Sequence, residues 1–306
     1  MSQKKTAILF LILANIVWGA AFPIYKWALQ IIPPFSFAFI RFALAALIIL
    51  PFTYKSLKIV KKDIPLLILV SVVSITIQIM LLFYGLKYSP SINAPIIFSA
   101  GPIILIIASA FFLNDVVKSK VLVGTLISLV GVLIVMFRPL APSAHAEVFL
   151  GNTLLFISML CNVAQAVVLK KILYNNEPLA VVFWSFVIGI VPYLIPITLY
   201  EPQFFQLATY QNVQVLIGIL YAVVFSSALG YYFFYYGLKY IRASEIGIFS
   251  YVDPIATIIV AVPLLSERIT PLYVLGTFMV FFGIFIAEER IHYHPLGRLF
   301  KKEGDI

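Results

Sequence analysis

The sequence predicts an all-α integral membrane protein, with ten transmembrane helices arranged as two inverted-topology five-helix repeats. Three observations predict it. Of 306 residues, 63% are hydrophobic and only 11% charged, with a mean hydropathy of +1.08, too little charge to cover a soluble domain. Apolar runs near the length of a bilayer span, roughly 20 residues, fill the chain and leave only short loops. A five-residue motif, Tyr84-Gly85-Leu86-Lys87-Tyr88, returns 152 residues later as Tyr236-Gly237-Leu238-Lys239-Tyr240.

The runs lie at 7–27, 34–53, 64–86, 91–113, 119–137, 149–172, 179–200, 213–237, 243–266 and 270–289. Lys4 and Lys5 precede the first run, as in a secretory signal, but Asn15, Trp18 and Pro23 interrupt it and argue for a true span. Pro33-Pro34, Ser89-Pro90, Arg138-Pro139, Glu177-Pro178 and Glu201-Pro202 punctuate the runs. Proline lacks an N–H and fixes φ, so it marks helix boundaries. The single cysteine, Cys161, excludes an intramolecular disulfide and a cysteine metal site. His145, His292 and His294 fall in loop or tail without helix-face metal spacing. No metal or cofactor is expected.

A net charge of +9 would suggest a nucleic-acid partner in a soluble protein. Its distribution suggests a bilayer instead. With the N-terminus in the cytoplasm, Lys26, Lys87, Arg138 and Arg268 fall outside and Arg41 lies within a helix. The other 16 of the 21 basic residues fall on inner segments, as the positive-inside rule requires. The expectation is a multi-pass protein of the bacterial plasma or inner membrane, both termini cytoplasmic, its oligomeric state unspecified. Residues 1–138 form one repeat, 149–289 the second, and 290–306 a basic cytoplasmic tail.

At the same 152-residue spacing Pro102 meets Pro254, Asp115 meets Glu267, Gly124 meets Gly276 and Gly131 meets Gly283. The earlier helices match with shifted spacing, Asn15 with Asn162 and Pro34 with Pro178. Five is odd, so the second copy enters the membrane from the opposite side. Two such halves can exchange conformations and swap an inward for an outward opening.

Trp18-Gly19 with Lys26, Arg41-Phe42, the paired prolines, the paired acids and the two Gly-x6-Gly pairs occur here in one order. In that order they resemble the drug/metabolite transporter superfamily, in particular the EamA-type permeases with two five-helix repeats. The resemblance covers nearly the whole chain. The chain departs from the family pattern at Gln165-Ala166, where Trp-Ala is frequent, and at Asn114-Asp115, where Gly-Glu is usual. The resemblance implies export or exchange of small metabolites, amino acids among them.

Polar side chains within spans are costly and face the bundle interior. Asp253 lies near the middle of the ninth run, directly before Pro254. It reads either as an N-cap restarting a broken helix or as a proton carrier or substrate contact. Arg41 reads as a snorkelling side chain or a cavity cation, and its estimated depth differs from that of Asp253. Asn15 and Trp18 share one face of the first helix, Asn162 and Gln165 one face of the sixth. Ser71, Ser74 and Gln78 form a stripe on the third, with Ser226 and Gly230 at the matching places of the eighth. Ser99 and Tyr251 each stand three residues before a proline. The candidate substrate or cavity residues are Asn15, Trp18, Gln78, Ser99, Asn162, Gln165, Tyr251 and Asp253, with Pro102 and Pro254 as gates. The aromatic run from Tyr231 to Tyr236 reads mainly as an interfacial belt.

No phosphate-cradling Gly-rich loop with lysine, no His-Glu-x-x-His and no Gly-x-Ser-x-Gly is present. The expectation is therefore a transporter of small solutes working by alternating access without ATP hydrolysis, with protons as candidate coupling ions. A nucleotide-sugar or lipid-carrier transporter of the same superfamily, or a multipass membrane enzyme, are the competing readings.

Overall fold

The computed structural model describes residues 3–101, 104, 119–137, 145–241 and 247–288. Among them every regular element is helical. In chain order the helices are α1 Gln3–Ala28, α2 Pro34–Thr53, α3 Lys61–Tyr88, α4 Asn93–Phe98 and α5 Ser119–Met136. The second half contains α6 His145–Asn175, α7 Pro178–Tyr200, α8 Val213–Tyr240, α9 Asp253–Leu265 and α10 Pro271–Glu288. Six of them, α1, α2, α3, α6, α7 and α8, are long and apolar enough to cross a membrane, and α5, α9 and α10 are shorter apolar helices. Pro102, Leu113, Asp115, Arg138, His292, His294 and the basic tail lie outside the described residues.

Proline sets the helix starts as expected. Pro34, Pro178 and Pro254 each occupy the first turn of α2, α7 and α9, where a missing N–H costs nothing. Ser266, with φ of 53°, ends α9 in the left-handed conformation. The chain then turns so that Glu267 faces the start of α4.

One feature of the helices has no sequence signal. α3 is π-helical over Val72–Ile77 and α8 over Tyr221–Leu229. A π segment widens the turn and leaves backbone carbonyls without their usual partners. Here side chains from neighbouring helices take them up. Tyr193 Oη donates to Ile75 O and to Thr76 O (3.2 Å), Ser158 Oγ to Gln78 O at 2.9 Å, and Trp18 Nε1 to Ser226 O at 3.0 Å.

Glycine pairs bring α5 and α10 close together. Gly131 and Gly276 face each other so tightly that a Cβ on Gly131 would lie 2.6 Å from Gly276 O. Gly283 packs in the same way against Gly124 O and Ser128. Ser128 Oγ adds a hydrogen bond to Val280 O at 2.9 Å. This is the small-residue packing by which membrane helices approach when no hydrophobic drive separates them from lipid.

Several helix contacts made by residues 3–136 have counterparts among residues 145–288. α1 packs on α8 and α9, and α6 packs on α3 and α4; α2 meets the π segment of α8, and α7 that of α3. Single contacts repeat too. Gly85 abuts Leu155 and Gly237 abuts Leu11. Lys26 Nζ donates to Ser89 O at 2.6 Å, Lys170 Nζ to Ile241 O at 2.6 Å. Gly85 to Gly237 is 152 residues, whereas Leu11 to Leu155 and Lys26 to Lys170 are 144, as for Pro34 and Pro178. These contacts equate Trp18 with Asn162, one helical turn from the Asn15–Asn162 match read from residue identity. The backbone crossings set the register, and the shared asparagine is coincidental.

Candidate functional site

Between the two halves lies a cavity of about 130 Å³. α1 contributes Asn15, Trp18, Phe22 and Tyr25, α2 Arg41, α3 Gln78 and Leu82, and α6 Asn162 and Gln165. Ser226, Tyr231, Phe234 and Tyr235 come from α8, and Asp253 from α9. Asn15, Trp18, Gln78, Asn162, Gln165 and Asp253 of the candidate residues thus share one space. Two others stand apart from this lining. Ser99 bonds back to Pro95 O at 2.7 Å, and the ring of Tyr251 packs edge-on against Phe281. Pro254 is buried in the first turn of α9, and Pro102 is outside the described residues.

The polar lining is built by specific contacts. Gln165 Nε2 donates to Gln78 Oε1 at 3.0 Å, linking α6 to α3 across the halves. Asn15 Nδ2 is spent on its own helix, donating to Leu11 O at 2.7 Å. Trp18 spans from α1 to α8 through its indole N–H. Gly230 makes room for it, since a Cβ there would lie 2.8 Å from Trp18 Nε1.

Arg41 corrects the snorkelling alternative. It is only 2% exposed. Its Nε donates to Ser227 Oγ at 2.6 Å and its Nη2 to Ser226 Oγ at 3.2 Å. The guanidinium lies 4.7 Å from the centre of the Tyr25 ring and 4.6 Å from that of Phe42, within the range of cation–π attraction. Tyr25 Oη in turn donates to Ser226 Oγ. The small serines of α8 therefore hold a cation, a role their size alone did not suggest. Arg41 makes no ion pair with Asp253; among the described residues the ion pairs are Lys26–Glu267 and Lys239–Glu177.

The capping alternative for Asp253 is also corrected. Residue 253 is the first of α9, after a 3₁₀ segment at Gly247–Val252, and among the described residues no backbone N–H of α9 donates to its carboxylate. Its Oδ1 is buried without a hydrogen-bond partner among the described residues. The aromatic run divides: Tyr231, Phe234 and Tyr235 are buried and line the cavity, so α8 supplies more of the wall than a belt reading allows. Helical periodicity at 231, 234 and 235 was the available signal.

Beyond the cavity, two lysines clamp helix ends. Lys26 Nζ lies 3.4 Å from Glu267 Oε1. The same carboxylate accepts from the backbone N–H groups of Ser91 (2.7 Å) and Ile92 (3.0 Å). At other helix ends Lys170 Nζ reaches the carbonyls of Leu238 (2.5 Å), Lys239 (3.1 Å) and Ile241 (2.6 Å). The sequence places Lys26 on the outer side and in the motif that carries the family resemblance, but shows no partner for it.

Long apolar helices around a cavity lined by aromatic, aliphatic and polar side chains define a helical membrane protein with space for a small solute. The chain belongs to the EamA-like transporter family, matching it twice, over residues 5–137 and 149–287. Relatives include an "Uncharacterized transporter" of Archaeoglobus fulgidus, 25% identical over 94% of this chain and 100% of the relative. The "Uncharacterized transporter YyaM" of Bacillus subtilis is 28% identical over 89% and 90%. A "Probable amino-acid metabolite efflux pump" of Salmonella typhimurium is 23% identical over 94% and 95%. A solved crystal structure shares the fold, with a TM-score of 0.68 at 14% identity, over 95% of this chain and 100% of that one. The relatives' names point to transport rather than catalysis.

Proposed function

We propose that this protein exports or exchanges small metabolites, amino acids or related compounds, by alternating access without ATP hydrolysis. Ten spans in two inverted five-helix repeats would form the carrier, with the solute held in the cavity between them. The observation that carries this reading is the cavity itself. It lies where the halves meet, and its volume of about 130 Å³ is well below the roughly 300–1,000 Å³ of drug-sized pockets. That size suits a small metabolite such as an amino acid better than a nucleotide sugar or lipid carrier. One cavity arginine also falls short of the several cations a diphosphate would need. The efflux relative's name agrees with the size argument.

The recurring contacts support an exchange of conformations between halves. With both termini inside, the Lys26–Glu267 clamp closes the outer end and the Lys170 clamp the inner end. Releasing one while keeping the other opens the cavity to one side.

The test is counterflow in proteoliposomes. Vesicles loaded with a mixture of unlabelled amino acids and other small metabolites are diluted into the same compounds at trace label. Label accumulation above protein-free vesicles, with the recovered compound unchanged, is expected. No accumulation of any compound would sink the reading, and recovery of a chemically altered compound would favour an enzyme.

A further inference from the structure

The cavity holds two ionisable side chains that the protein leaves incompletely satisfied. Arg41 is 2% exposed, and its Nη1 has no hydrogen-bond partner among the described residues. No carboxylate among the described residues pairs with it; serines and ring faces supply its contacts. Asp253 is 6% exposed, and its Oδ1 likewise lacks a partner. Buried polar groups are almost always hydrogen-bonded, and each exception calls for an explanation. Leaving a buried charge unpaired is costly.

The simplest remedy would be an Arg41–Asp253 ion pair, and the fold does not make it. Arg41 is held toward α8 by Ser226 and Ser227. Asp253 is held at the head of α9, whose backbone packs on Gly19 of α1: a Cβ on Gly19 would meet Asp253 O at 2.6 Å. Thr257 Oγ1 ties the same contact by donating to Gly19 O at 2.7 Å. The two charges are thus anchored to different helices, and both line one cavity.

We infer that Arg41 and Asp253 are the two poles of a site for an apolar α-zwitterion, Arg41 taking its carboxylate and Asp253 its ammonium. This rests on the transporter reading above and names the substrate class. A guanidinium already fixed through Nε and Nη2 presents Nη1 as the free arm for a carboxylate oxygen. The ammonium supplies donors that the Asp253 carboxylate lacks. The apolar part of the lining, with Trp18, Phe22, Leu82 and Phe234, fits an aliphatic or small aromatic side chain projecting from the carbon that carries both charged groups. A ligand with one pole would leave the opposite charge buried and unpaired, which is how such sites reject close analogues.

The experiment needs only the purified wild-type chain and three probes: leucine, isoamylamine (leucine without its carboxylate) and 4-methylpentanoate (leucine without its amino group). Binding is measured in detergent by displacement of labelled leucine. Leucine is expected to bind, and each single-pole analogue at least about tenfold more weakly. Arg41→Gln should erase the preference over isoamylamine, and Asp253→Asn the preference over 4-methylpentanoate, in variants that keep their helical circular dichroism. Equal binding of leucine and either analogue to the wild type overturns the inference without any variant. So does absent leucine binding when counterflow detects another solute, and that result leaves the transporter reading standing. Flux of no solute at all removes both.

Discussion

Glu267→Gln should unlatch one end of the carrier by a calculable amount. Glu267 accepts two backbone N–H groups and pairs with Lys26. A carboxamide has one acceptor oxygen for the two donors, so at least one charge-assisted bond is lost, worth about 1.5–3 kcal/mol. The ion pair is partly open to solvent, with side chains 23% and 10% exposed, so it is discounted to about 1 kcal/mol. The sum, about 3 kcal/mol, is roughly a 100-fold shift toward the unlatched state. The assay places a cysteine at Phe22, a cavity residue, in a Cys161→Ala background. A membrane-impermeant maleimide is applied to intact cells. Its rate of reaction follows the fraction of molecules open outward, so Glu267→Gln should raise it at least tenfold. An unchanged rate, or an increase seen only with reagent on the cytoplasmic side, would refute the clamp as an outer gate.

Other substitutions test the remaining links. Gly283→Leu should cost more than the usual 1–3 kcal/mol of overpacking, because its Cβ would press on backbone at Gly124; thermal unfolding in detergent should show a clear loss, and an unchanged midpoint would contradict the close α5–α10 crossing. Trp18→Phe removes the donor to Ser226 O and should destabilise by about 1 kcal/mol, read from the same melts; a variant as stable as wild type would remove that bond from the account. For topology, a cysteine at Lys58, which is exposed, should react with impermeant reagent only in inverted vesicles, and one at Arg268 only in intact cells. Labelling at 58 from outside would reverse the orientation.

Much of this architecture can be read from residues in a row. Bilayer-length apolar runs, proline at helix starts and glycine pairs at fixed spacing each act locally, so α2 was expected at 34–53 and is found at Pro34–Thr53. The polar faces of α1 and α6 were legible for the same reason: three-residue spacing puts Asn15 beside Trp18 and Asn162 beside Gln165. The surroundings of Arg41 were not, because they depend on which helix crosses it. Ser226 and Ser227, 185 and 186 residues away, become its partners only once α2 packs on the π segment of α8. That segment has no sequence mark, since its carbonyls are satisfied by side chains from other helices. The Asn15–Asn162 match failed because a shared polar residue says less about register than the backbone crossings do. The partner of Lys26 was not legible, because Glu267 lies near the other end of the chain.

On the proposed mechanism, solute passes through the cavity between the halves. Ala166→Trp tests it most directly. Ala166 lines that cavity, and an indole there is comparable in bulk to the space of about 130 Å³. Counterflow of the transported solute in proteoliposomes should fall to the level of protein-free vesicles, while the melting temperature stays within a few degrees of wild type. Wild-type counterflow by a stable Ala166→Trp protein would contradict the account.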